Sequence, residues 1–164
     1  MSSERPNLLL AISSFREIYN DIGKTVPAVG KAIGGKVNYN INSLTPAQGA
    51  FQNACAIRMS YVLNKTGIKI PYMAGKTVSG EKGNWYLYKV RDLIDFLYKT
   101  LGEPNVTIEN PTISKFKEYK GILVFDVDQW TDATGHATIW SGAHCSDKCY
   151  FPISKKAYLW TLKD

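Results

Sequence analysis

Histidine is the scarcest reactive side chain in this sequence, with only His136 and His144 among 164 residues. Any chemistry that needs an imidazole must use one of those two positions. Cysteine is nearly as rare: Cys55 stands alone, and Cys145 and Cys149 lie close together. There is no second close pair, so the spacing is not that of a standard zinc module. Long apolar runs are also missing, which excludes a membrane-spanning helix. The one short run, Asn7-Leu8-Leu9-Leu10-Ala11-Ile12, follows Glu4 and Arg5 and is too brief for a signal-peptide core, so no secretory signal is expected. No solenoid-like repeat and no nucleic-acid motif is found.

What is present fits an ordinary globular chain. A hydrophobic content of 45% over this length can bury one substantial core, and a single domain over 1–164 is expected. Acidic residues are outnumbered 14 to 20 by Lys and Arg, giving a formal charge of +6 that is spread along the chain rather than gathered in one block. Such a surface favours acidic surroundings without naming them: nucleic acid, an anionic membrane surface and a carboxylate-rich polymer would each fit, and a plainly solvated basic surface is the bland alternative. Neither nucleic-acid binding nor membrane insertion is expected.

Periodicity orders the chain with helices first and strands later. Leu8, Ile12, Phe15, Ile18 and Tyr19 recur at helical spacing, so a helix is expected to end near residue 20. The Gly-, Asn- and Pro-rich stretch 24–48 reads as a short helix around 27–33 followed by a loop. Over 53–65 apolar residues surround the axis, predicting a buried central helix that Asn53 would cap and Gly67 would end. Segment 75–83 reads as a loop. A clean helical stripe runs from Val90 to Leu101 and stops at Gly102. Strand patterns follow at 105–109, 121–127, 136–140 and 157–162. The fold class expected is α+β, with N-terminal helices packed on an antiparallel sheet.

Cys55 falls in the first turn of the central helix, where the macrodipole favours a thiolate and the first amides could face an oxyanion. A cysteine hydrolase needs an imidazole as well, and His136 at the start of a strand is better placed than His144 in a turn. Helix-start cysteine followed by strand-start histidine is the chain order of papain-like hydrolases. If the strand turns at Ser141-Gly142 and returns, Asp147 comes close to opposite His136 and could orient its ring; Asp126, Asp128 and Asp132 are alternatives. Gln52 or Asn53 could add an oxyanion donor. Trp85, Tyr86 and Trp140 are candidates to line a groove, with Arg58, Lys89 and Arg91 to meet substrate carboxylates. Cys145 and Cys149 are expected to be bridged, which pins Asp147 and places the working protein outside a reducing cytosol. A zinc site of His136, His144, Cys145 and Cys149 is the competing reading, and a non-catalytic binding module a third. On the hydrolase reading neither metal nor cofactor takes part.

Three segments carry a family resemblance: Phe51-Gln52-Asn53-Ala54-Cys55-Ala56-Ile57-Arg58-Met59-Ser60-Tyr61, Gly135-His136-Ala137-Thr138-Ile139-Trp140, and 145–151 with Asp147 inside. Together they resemble the type VI secretion amidase effectors of the fourth family, in the NlpC-like branch of papain-like hydrolases. The resemblance implies an antibacterial toxin that cuts the D-glutamyl to meso-diaminopimelate amide of peptidoglycan. It further implies delivery by the type VI secretion apparatus without a signal peptide, action in the periplasm of Gram-negative target cells, and a cognate immunity protein. The family's nucleophile, base and orienting acid would fall on Cys55, His136 and Asp147.

Overall fold

The computed structural model describes residues 5–127 and 135–164. Asn7 starts the first helix, α1 (Leu8–Ile18), by accepting the Leu10 N–H at 2.9 Å, and Leu8, Ala11, Phe15 and Ile18 form its buried stripe. Thr25 caps α2 (Val26–Ile33) in the same way through the Ala28 N–H. The stretch after it is not the loop expected from its glycines. A short helix α3 (Gly35–Asn38) and a π-helical turn (Tyr39–Ser43) continue the chain. Gly34 and Gly35 make the corner between α2 and α3 with φ of +76° and +58°, and a Cβ on Gly34 would meet the Glu81 side chain at 2.5 Å.

The central helix α4 (Cys55–Lys65) is enclosed on almost every side; among its residues only Tyr61 and Lys65 escape full burial. Its polar side chains explain how a helix of modest apolar content can be a core element. Ser60 Oγ donates to Ala56 O at 2.7 Å and accepts the Leu87 N–H at 2.9 Å, while Asn64 Nδ2 donates to Trp85 O at 2.9 Å. These bonds hold β2 (Trp85–Leu87) against the helix. It forms a small antiparallel pair with β1 (Thr77–Ser79), which falls inside the segment 75–83 expected to be a loop. Helix α5 (Val90–Leu101) follows and ends at Gly102, whose φ is +86°.

The second half of the chain builds a four-stranded antiparallel sheet from β3 (Val106–Glu109), β4 (Gly121–Asp126), β5 (Gly135–Trp140) and β6 (Lys156–Thr161), in the order β3-β6-β4-β5. One face, with Ile122, Val124, Ala137, Ile139 and Trp160, packs on Phe15, Met59, Leu63, Leu93 and Leu97 from the helices. The other face places Leu123, Phe125, Trp140 and Leu159 against Phe116 and Phe151. Ile57 turns the remaining side of α4 toward Val29, Ile33 and Val37. The α4 N-terminus is thereby set between two helical layers and the end of β5.

Candidate active site

Cys55 is the first residue of α4, but Asn53 is not its cap. Ala54 takes that position, and the Asn53 side chain accepts the Cys55 N–H at 2.8 Å. The nucleophile candidate's own amide is therefore already bonded, and a substrate oxygen reaches it only by displacing the Asn53 side-chain oxygen. This modifies the expectation that the first-turn amides stand free for an oxyanion.

His136 lies at the start of β5, opposite Phe125. Its Nδ1 is 2.7 Å from Cys55 Sγ and its Nε2 is 2.8 Å from Asp147 Oδ2. The carboxylate arrives by a short return of the chain. Ser141 Oγ accepts the His144 N–H at 3.0 Å to shape the turn, Cys145 pairs with Trp140, and the Ser146 N–H donates to Ile139 O at 2.9 Å. Asp147 follows at once. Cys145 and Cys149 are joined by a disulfide, with Cα atoms 5.5 Å apart, so the chain is closed around the acid.

Cys55, His136 and the Asp147 side chain are 3%, 6% and 3% exposed, which keeps water from screening their charges. Burial on its own would push the His136 imidazole down. The negative charge at Cys55, contacts with the Asp147 carboxylate and Cys55 sulfur, and the Asp147 charge outweigh it, raising the ring to about 9. The ring is thus held as an imidazolium between sulfur and carboxylate. Such an arrangement can hold a sulfur nucleophile beside the acid that protonates a leaving amine. A cleft of about 400 Å³ opens beside the N-terminus of α4, lined in part by Phe51, Gln52, Asn53, Tyr88 and Lys89.

Residues 51–160 match the family of type VI secretion system (T6SS) amidase effector protein 4, Tae4. Tae4 from Enterobacter cloacae is 41% identical, with a TM-score of 0.88 over 99% of this chain and 100% of that one. This chain belongs to the Tae4 family. The similarity extends to two effector–immunity complexes: Tae4–Tai4 from Enterobacter cloacae (40% identity, TM-score 0.87) and from Salmonella Typhimurium (40%, 0.84), each aligned over 97% of this chain and 99% of the other. Among curated proteins none matches. The chain is accordingly an amidase effector, and its α+β architecture is the papain-like, NlpC-type one.

Other residues of this Tae4-family chain fall in different places from those expected. Trp140 cannot line a groove, because it is 0% exposed and its Nε1 donates to Phe116 O at 3.0 Å inside the far core. Trp85 lies at the opposite end of α4 from Cys55, bonded through its carbonyl to Asn64, about 13 Å along the helix axis. Tyr86 is buried and Arg91 is exposed at the start of α5, whereas Lys89, exposed just before that helix, lines the cleft. Asp126 faces Lys155 at 4.0 Å, while Asp128 and Asp132 lie outside the described residues. Both sulfurs of the proposed zinc set are consumed in the bridge, leaving no thiolate pair to ligate metal.

Sequence reasoning missed Tyr150. Its ring meets the edge of His136 with centroids 4.6 Å apart. Burial pushes its hydroxyl up, Asp147, Cys55 and Tyr19 push the same way, and Arg58 pulls it down, so this tyrosine adjoins the whole cluster. The only local signal for it was its place inside the 145–151 segment, beside Cys149.

Proposed function

We propose that Cys55 is the nucleophile, His136 the acid–base and Asp147 the orienting group of a peptidoglycan DL-endopeptidase acting through one catalytic domain over 1–164. The continuous contact from sulfur to imidazole to carboxylate, 2.7 Å and 2.8 Å, carries this reading. The thiolate attacks the γ-carbonyl of the D-glutamyl residue and forms a tetrahedral intermediate. The imidazolium at Nδ1 then gives its proton to the leaving diaminopimelate nitrogen, and the C–N bond breaks. The neutral ring next takes a proton from water as hydroxide attacks the thioester, releasing the acid and restoring Cys55. Asp147 holds Nε2 throughout, so that Nδ1 faces the sulfur.

Family membership supports delivery through the type VI secretion apparatus, and action in the periplasm of a target cell follows from where the substrate lies. The solved complexes of related effectors with Tai4 support a cognate immunity protein for this chain too. Mass spectrometry of muropeptides released from purified sacculi tests the assignment. Cys55→Ala and His136→Ala should release none, and Asp147→Asn should reduce release by roughly 10²- to 10⁴-fold. Undiminished release by folded Cys55→Ala would remove the nucleophile from this mechanism.

A further inference from the structure

Arg58 is the only arginine or lysine among the described residues that is buried, at 8% exposure. Its guanidinium carbon lies 4.9 Å from the centroid of the Tyr19 ring, yet its Nε is enclosed without a hydrogen-bond partner and no described carboxylate pairs with it. A buried cation left in this state costs several kcal/mol unless something compensates it. Arg58 is also one helical turn beyond Cys55, so their side chains leave the same face of α4. Tyr150, whose ring contacts that of His136, is also close enough to Arg58 for the cation to act on its hydroxyl. The unpaired cation therefore belongs to the neighbourhood of the reacting sulfur rather than to a remote part of the core.

We propose that Arg58 binds a free carboxylate of the substrate adjacent to the scissile amide, and that this contact makes the carboxylate a requirement for rapid turnover. The inference rests on the stem-peptide reading above and deepens it. A γ-linked D-glutamyl residue keeps its α-carboxylate, and meso-diaminopimelate carries a further carboxylate beyond the amide nitrogen. Either would supply the acceptor that a guanidinium fork matches with two parallel N–H···O bonds. The binding partner is thus a carboxylate on one side of the cut bond, and it supplies the charge that Arg58 lacks among the described residues.

The test compares kcat/KM for three soluble stem peptides: one with all carboxylates free, one with the glutamyl α-carboxylate amidated, and one with the diaminopimelate carboxylate amidated. In the wild-type protein one of the two amidations should cost roughly 10- to 100-fold, which identifies the side that Arg58 contacts. Arg58→Gln should lose activity on the free peptide while the penalty for that amidation falls to less than about 3-fold. Arg58→Lys, which keeps the charge but not the fork, should retain part of the penalty. The ratio of two substrates on one enzyme does not depend on the folded fraction, so partial unfolding of a variant leaves the comparison intact. If neither amidation slows the wild type, or if the penalty is the same in Arg58→Gln, the proposal is overturned. An arginine that only packs on Tyr19 or only stabilises the thiolate would lower all three substrates by one common factor, which also overturns it. Failure of the wild type to cut any of the peptides would instead overturn the stem-peptide reading.

Discussion

The His136 imidazole bridges a sulfur carried on a helix and a carboxylate carried on a returning segment, and its proton affinity depends on both. Its value rises from 6.5 in an unstructured chain to about 9 in the fold, which ties folding to pH in a definite sense. Below pH 6.5 both folded and unfolded chains hold the proton, and the contribution to stability is complete. Between that point and about 9 only the folded chain holds it, so stability falls by about 1.4 kcal/mol per pH unit. Above about 9 the contribution is gone, a total on the order of 3 kcal/mol. Urea unfolding of the wild type between pH 6 and pH 10 should show this decline, and His136→Gln should flatten it. A wild-type profile as flat as that of the variant would mean that the imidazole is neutral in the fold. Loss of the proton also removes the acid for the leaving amine, so hydrolysis should decline above about pH 9, where the stability contribution has already been lost.

Strand β5 and the segment that folds back on it form the element on which the site depends. By sheet order β5 is an edge strand, yet it is buried along its whole length because the 144–147 return covers its open side. The backbone bonds of that return stop at Ser146, one residue before the acid, and the disulfide then takes over its restraint. Closing so short a loop stabilises the fold by roughly 2 kcal/mol in the chain-entropy model. Reducing the wild type, or replacing both Cys145 and Cys149 by Ala, should lower Tm by a few degrees. It should also move kcat toward that of Asp147→Asn. Full kcat in the reduced protein would show that Asp147 is held without the bridge. This element was legible in part: the alternation of β5 and a return after Ser141 point Asp147 toward His136, but the turn spans 141–144 and pairs Trp140 with Cys145, two residues out from the tight register expected. The helices Leu8–Ile18 and Val90–Leu101 were legible because each buries a single stripe. Strands β1 and β2 were not, since three residues are too few to display an alternation and a glycine-bearing connection reads as a loop. Trp140 shows the limit of the strand period: it correctly shares the face of His136, but Phe116 and Phe151 cover that face, and no local pattern records their arrival. Arg58 shows the converse, a buried cation packed on Tyr19, which lies far away in sequence at the end of α1.

At the scale of the whole molecule the excess of six positive charges remains largely uncompensated. The ion pairs Lys65–Glu17 and Lys155–Asp126, at 3.6 Å and 4.0 Å, involve exposed lysines and add little to stability. The charge is better understood through what the effector meets: a polymer network whose stem peptides carry carboxylates at high local density. Dispersed lysines do not recognise one bond, but they raise the local concentration of enzyme at such a surface. Over distances beyond contact this attraction is screened, with a Debye length of about 30 Å at 0.01 M salt and about 8 Å at 0.15 M. Retention of catalytically inert Cys55→Ala on purified sacculi should therefore weaken on the order of 10-fold across that range, measured by co-sedimentation. Wild-type hydrolysis of a small soluble stem peptide should change far less, because its few charges act at contact distance inside the site. Retention that is indifferent to salt would assign sacculus binding to short-range contacts in the cleft and leave the basic surface without a part in it.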